Sequence, residues 1–150
     1  ANAVGSAITL DSCTLTENVA DFGGGLQAST GTINVSHCII AQNTATVSGG
    51  PDLSVTSGTI VSGGFNFAGV VGPGISDGVN NDRAGTTVAP LDPMLAPLRH
   101  YGGTTQTQVP NPGSPVIDSG DPQHDGTVGA LVNFALSPLA IATQSSNAGN

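Results

Sequence analysis

Apolar and polar positions alternate along the first third of the chain, and the alternation is written twice. Ile8 and Leu10 fall on one side of an extended segment, with Thr9 and Asp11 on the other; after a short break Cys13 and Leu15 resume the inward set and Thr14 and Thr16 the outward one. A period of two marks a half-buried strand, and Thr, Val and Ile suit strands. The pattern then returns shifted by 25 positions: Ile8 meets Ile33, Leu10 meets Val35, Cys13 meets Cys38, Leu15 meets Ile40, Asn18 meets Asn43 and Ala20 meets Ala45. Each copy closes on a Gly-rich turn and a Leu, Gly23-Gly24-Gly25-Leu26 and Gly49-Gly50-Pro51-Asp52-Leu53. A gap-free repeat with a period in the twenties predicts a solenoid.

The pattern has no helical spacing, and it lacks the Leu-dense consensus of leucine-rich repeats. It predicts an all-β fold, a right-handed parallel β-helix of two to three coils with two or three short strands per coil. Each strand would pair with its copy one coil on, at about 4.8 Å. Residues 1–69 are assigned to the coils. Gly58-Thr59-Ile60 echoes Gly31-Thr32-Ile33, so Val55, Ile60 and Phe65 are expected to carry the core into a third, imperfect coil. Residues 70–89, rich in Gly, Asn, Asp and Pro, are expected to form a loop. Residues 90–142 are expected to be an irregular Pro/Gly-rich cap. Their apolar residues, Leu91, Leu95, Leu98, Val109, Val116 and Ile117, would cover an open end or a flank of the solenoid. Within that cap the apolar run 128–142 is too short for a membrane span and is interrupted by Pro138. Residues 143–150 are expected to be disordered. Ala3 to Gly5 resemble the end of a previous turn, so the chain reads as the C-terminal piece of a longer one.

Stacking gives the repeated polar residues a structural task. Asn18 would sit under Asn43, each amide bonding its neighbour and the turn backbone, because a buried amide must be satisfied. Cys13 would lie beneath Cys38 in the core. Distance alone would allow a disulfide, but in-register parallel strands aim both Cβ atoms the same way, which favours two buried free thiols. His37 precedes Cys38 and, by alternation, should point outward.

Composition narrows the function. Ten acidic residues face only two basic ones, Arg83 and Arg99, giving a net charge of −8 with no Lys. A nucleic-acid binder needs a basic surface, and so does a protein that docks on anionic membranes. Few charges with many Thr, Ser and Asn suggest a secreted or surface-exposed bacterial-type polar face.

The segment Asp92 to Asp121 carries a more specific likeness. Asp92-Pro93, Leu95, Pro97-Leu98, Gly102-Gly103, Thr105, Thr107 and the run from Gly113 through Ser114-Pro115-Val116-Ile117-Asp118-Ser119-Gly120 to Asp121 resemble the C-terminal segment of bacterial surface proteins of the choice-of-anchor Q type. The repeats upstream are similar to polymorphic outer-membrane-protein repeats. Tyr101 stands where that family usually has Asn, and "HDGTVGALV" (His124 to Val132) keeps only Gly129-Ala130 of the usual ending. The resemblance implies an exported, cell-surface or secreted β-helix. It implies no reaction, because fold does not fix function.

Candidate chemistry is sparse. A uronate lyase of this fold would need Ca²⁺-binding carboxylates and a Lys or Arg base, and only Arg83 and Arg99 are present. A hydrolase would need clustered Asp, whereas Asp11, Glu17, Asp21 and Asp52 fall one per corner. Aromatic platforms for sugars are scarce as well: Phe22, Phe65, Phe67 and Phe134 read as core or turn fillers, and Tyr101 is the sole tyrosine. The one metal-like constellation is Asp118, Asp121, His124 and Asp125, whose carboxylates could hold calcium on a Gly/Pro loop or could simply cap their own backbone in Asx-turns. The expectation is a non-catalytic surface or secreted module with a structural or adhesive role and a glycan or protein partner, without a required cofactor. The alternatives are the C-terminal part of a polysaccharide lyase or hydrolase whose site lies mostly upstream, and a calcium-dependent binding module.

Overall fold

The computed structural model describes residues 7–124. Contacts divide the chain into two units, Ala1–Gly120 and Asp121–Asn150. Asp125, the apolar run 128–142 and the segment 143–150 lie outside the described residues.

The repeat resolves into strands as its alternation dictates. The first copy holds β1 (Ala7–Asp11), β2 (Thr14–Thr16), β3 (Val19–Phe22) and β4 (Leu26–Ala28); the second holds β5 (Thr32–Ser36), β6 (Ile39–Ala41), β7 (Thr44–Ser48) and β8 (Leu53–Val55). A third begins with β9 (Thr59–Gly64) and β10 (Phe67–Ala68), and β11 (Arg83–Ala84) follows later. Each repeat thus has four strands where two or three were expected. The extra one, β4 or β8, is the three-residue run after the glycines. The described residues are all-β, without helix, and the strands pair in parallel in four sheets: β1-β5-β9 (sheet A), β2-β6-β10-β11 (sheet B), β3-β7 (sheet C) and β4-β8 (sheet D).

The register follows the sequence repeat and then drifts. Ile8 pairs with Ile33, Leu10 with Val35 and Leu15 with Ile40, all 25 positions apart. The longer Gly49–Asp52 turn stretches the spacing, so Leu26 pairs with Leu53 and Thr32 with Thr59. β11 lies inside the expected loop, where Phe67 pairs with Arg83 after only 16 positions.

Single left-handed residues make the corners. Ser12, His37 and Phe65 have φ of 55°, 54° and 56° and join sheet A to sheet B; Glu17 and Gln42, at 59° and 61°, join sheet B to sheet C. Each such residue costs about 1–2 kcal/mol for an L side chain, and backbone bonding holds it there. Ser12 N–H donates to Ser36 C=O, His37 N–H to Gly64 C=O and Phe65 N–H to Asn80 C=O, at 3.0–3.1 Å. These corners are the short breaks at which the alternation restarts.

The inward faces form one core of Leu26, Ala28, Ile33, Val35, Cys38, Ile40, Leu53, Ile60, Ala68, Ile75 and Ala84. Ile8, Leu10, Cys13 and Leu15 of the first repeat pack against it half-buried. Ile60 continues the core as expected, but Phe65 does not: it is a corner residue, stacked on His37 with ring centroids 5.8 Å apart. After Ala68 the chain cuts across instead of building third strands for sheets C and D. Val70 N–H reaches Asp52, Gly72 lies against Leu53, and Ile75 is fully buried.

Residues 90–120 run along a flank. Sheet B has a second apolar face, because Ile39 and Phe67 are register partners that point away from the core residues Ile40 and Ala68. Pro110 and Val116 lie over that face. Polar ties fasten the segment to each repeat in turn. Thr16 Oγ1 donates to Gln108 Oε1 (2.6 Å), Gln42 Nε2 donates to Asp92 Oδ1 (3.1 Å), and Arg83 donates to the Pro115 carbonyl. The two ends of the Asp-Pro…Gly-Ser-Pro motif meet where Ser114 Oγ, buried, donates to the Pro93 carbonyl at 2.6 Å.

Candidate functional site

The sheet B–sheet C corner carries the repeated Asn. Asn43 Oδ1 accepts the backbone N–H and the side-chain amide of Asn18, both at 3.0 Å. Its own amide donates to the carbonyls of Leu15 (2.9 Å) and Ala41 (3.1 Å) and to Asp52 Oδ1 (2.9 Å). Asp52, 2% exposed, also accepts the Asn43 N–H and, on Oδ2, the Val70 N–H at 2.8 Å. Buried charge is tolerable only with such a set of donors. Gly69 leaves the room: a Cβ there would stand 2.7 Å from Asp52 Oδ2.

The sheet A–sheet B corner repeats the device one sheet over. Asn66 occupies the place of Cys13 and Cys38 in the third repeat. Its Oδ1 accepts the Cys38 N–H at 3.0 Å, and its amide donates to Val35 C=O (3.1 Å), Ser62 Oγ (3.0 Å) and Asp82 Oδ1 (3.0 Å). Asp82, 2% exposed, accepts the Asn66 N–H and the Ser62 hydroxyl. The sequence reading singled out neither Asn66 nor Asp82. The signal was the register, since Asn66 lies 28 positions after Cys38 and Asp82 lies 16 after Asn66.

Both cysteines are free thiols. Cys38 Sγ sits 3.1 Å from Ser36 O and 3.6 Å from Leu10 O. Burial pushes the Cys38 thiol above its ordinary value, and hydrogen bonding with the Cys13 and Ser36 backbones offsets part of the rise. A thiol held neutral in this way is a poor nucleophile and a poor metal ligand.

His37 lies outside the apolar core but is covered rather than solvated, in the cleft lined by Ile39, Phe65 and Phe67. Its left-handed corner breaks the alternation, and its side chain is 17% exposed with Nδ1 2.9 Å from Asp11 Oδ1. A carboxylate only accepts, so Nδ1 carries the proton. Ser36 Oγ donates to the same Asp11 oxygen at 2.9 Å, the stack expected from the 25-residue shift.

Of the candidate calcium residues, Asp118 and Asp121 are among the described residues and Asp125 is not. Asp118 is an exposed residue with φ 56° at the end of the first unit. Asp121, in the second unit, accepts the Gln123 N–H at 2.8 Å, which is an Asx-turn.

Two open clefts flank the segment 90–120. One, of about 330 Å³, lies between Gln42, Pro51, Val70 and the stretch Pro90–Asp92. The other, of about 200 Å³, is walled by Ile39, Phe65, Phe67, Pro110 and Val116. In the larger cleft the Asp52 carboxylate is already saturated by backbone and amide donors, and Asp92 Oδ1 accepts both Gln42 Nε2 and the Met94 N–H. No protein-family model, curated protein or solved structure matches the chain.

Proposed function

We propose that the chain is a right-handed parallel β-helix module, exported to the cell surface or secreted, with a structural or adhesive rather than catalytic role. The observation that carries the reading is the use made of the buried polar groups. Asp52 and Asp82 both spend their oxygens on internal donors, backbone N–H groups and side-chain amides and, for Asp82, also the Ser62 hydroxyl. Such groups serve stacking rather than turnover. The parallel pairing of each strand with its copy one repeat on supports closure of the four sheets into coils. The likeness of Asp92 to Asp121 to choice-of-anchor Q proteins is what suggests export and a surface location.

The test is a retention and turnover assay of the full chain on acidic and neutral polysaccharides, with and without Ca²⁺. Retention on a glycan without product release fits the proposal. Product release would replace it with the polysaccharide-enzyme reading, and retention only with Ca²⁺ would replace it with the calcium-module reading.

A further inference from the structure

Three kinds of residue line the cleft of about 330 Å³. Gln42 and Asp92 are exposed, Pro51 and Leu91 are half-buried, and Asp52 and Val70 are buried. Polar groups thus stand at the mouth, with aliphatic surface behind them and a carboxylate at the floor. The volume is at the lower end of the range for small-molecule sites.

The two side chains at the mouth hold each other in place. Gln42 Nε2 donates to Asp92 Oδ1 at 3.1 Å, and Met94 N–H donates to the same oxygen at 2.8 Å. Gln42 is itself fixed at a corner, with φ 61°. A short row of polar positions is left unused. Among the described residues Asp92 Oδ2 and Gln42 Oε1 accept no hydrogen bond, and Gln42 Nε2 keeps a second N–H.

That row selects the chemistry of a ligand. A hydroxyl both donates and accepts, so two neighbouring hydroxyls can use the acceptors and the donor alike, one of them in a charge-assisted bond to Asp92. An ammonium only donates and would leave the Gln42 N–H idle. An anion is repelled, since Asp52 and Asp92 line the cleft and no Arg does, in a chain without Lys. Pro51, Val70 and Leu91 supply an aliphatic surface that the C–H face of a sugar ring can cover.

We infer that the cleft binds one neutral sugar ring of a glycan, through two adjacent hydroxyls held by Gln42 and Asp92. The inference rests on the reading of the chain as an adhesive module and gives that reading a site and a ligand class, neutral sugars rather than uronates.

The experiment is affinity electrophoresis of the full chain through gels containing galactomannan, dextran or polygalacturonate. Gln42→Gly removes the side chain at a corner whose φ suits glycine, and Asp92→Ala removes the carboxylate. Glu17→Gly makes the same kind of change at the matching corner of the first repeat, φ 59°, which does not line the cleft. Galactomannan or dextran should retard the wild type and Glu17→Gly alike, and retard Gln42→Gly and Asp92→Ala with roughly tenfold weaker affinity. Unchanged retardation of Gln42→Gly or of Asp92→Ala, or equal losses in Gln42→Gly and Glu17→Gly, would overturn the inference and leave the adhesive reading standing. Retardation by polygalacturonate as strong as by the neutral polymers would do the same. No retardation by any of the three polymers would overturn both.

Discussion

Asp52 Oδ1 accepts two hydrogen bonds from Asn43, from its N–H at 3.1 Å and from its side-chain amide at 2.9 Å. Asp82 holds Asn66 in the same way, at 2.9 and 3.0 Å. The two pairs are one device used at two corners. Asp52→Ala leaves the Asn43 and Val70 N–H groups buried without an acceptor, each worth about 1–3 kcal/mol. Urea unfolding should show a loss of about 2–4 kcal/mol, and Asp52→Asn a smaller one. A double-mutant cycle with Asn43→Ala should give a coupling of about 1 kcal/mol or more. Additive single mutants would mean the pair is not a unit.

The left-handed corners predict an inversion of the usual ranking of substitutions. At Glu17 (φ 59°), glycine relieves the corner, and a β-branched residue aggravates it. Thermal unfolding should rank Glu17→Gly at or slightly above the wild type and place Glu17→Val about 1–2 kcal/mol below it. Equal stability of the two variants would show that this corner is not strained.

Cys38 gives the chain an alkaline sensitivity. Burial raises its thiol above the ordinary value, so the folded state binds the proton more tightly than the unfolded one. The associated stability is fully present below the unfolded thiol's pKa of about 8.5 and is lost as pH rises through the folded value. The melting temperature should therefore fall above about pH 8.5, and it should fall less in Cys38→Ala. In the native protein an aromatic disulfide reagent should label Cys13 well before Cys38. Simultaneous labelling would contradict the burial.

The segment 90–120 should behave as part of the fold. Phe67→Ala removes the side chain packed between sheet B and that segment, and is expected to cost about 3–4 kcal/mol. Ser114→Ala orphans the buried Pro93 carbonyl and is expected to cost about 1–3 kcal/mol. Native-state hydrogen exchange should show Ala96, whose N–H donates to Val109 C=O, slowing together with the strands. Early exchange there would mean the segment opens on its own.

Calcium is a separate question with a simple readout. With Asp121 committed to the Gln123 N–H, chelation should leave the melting temperature unchanged. A rise of several degrees on adding Ca²⁺ would mean that a site forms.

By itself the sequence determined the alternating strands of the first two repeats, their parallel register and the Asn18–Asn43 stack. Each follows from a local period of two nested in a repeat of 25, and a side chain's place in such a repeat is set by its position in the chain. Ile8 could be matched to Ile33, and Asp11 to Ser36, without any structure. Only the tertiary structure decided the rest. His37 became covered on the outer face because Phe65 and the Pro-rich segment lie against it, which the residue type does not announce. Asn66 found Asp82 through a 16-residue short cut that breaks the repeat. The Pro-rich segment chose the outer face of sheet B because Ile39 and Phe67 made that face apolar as well. Among the described residues sheet C stops at two strands for a related reason, since after Ala68 the chain crosses toward Leu53 and buries Ile75 instead. Those outcomes depend on which distant surfaces compete for the same apolar groups, and a local period carries no record of that competition.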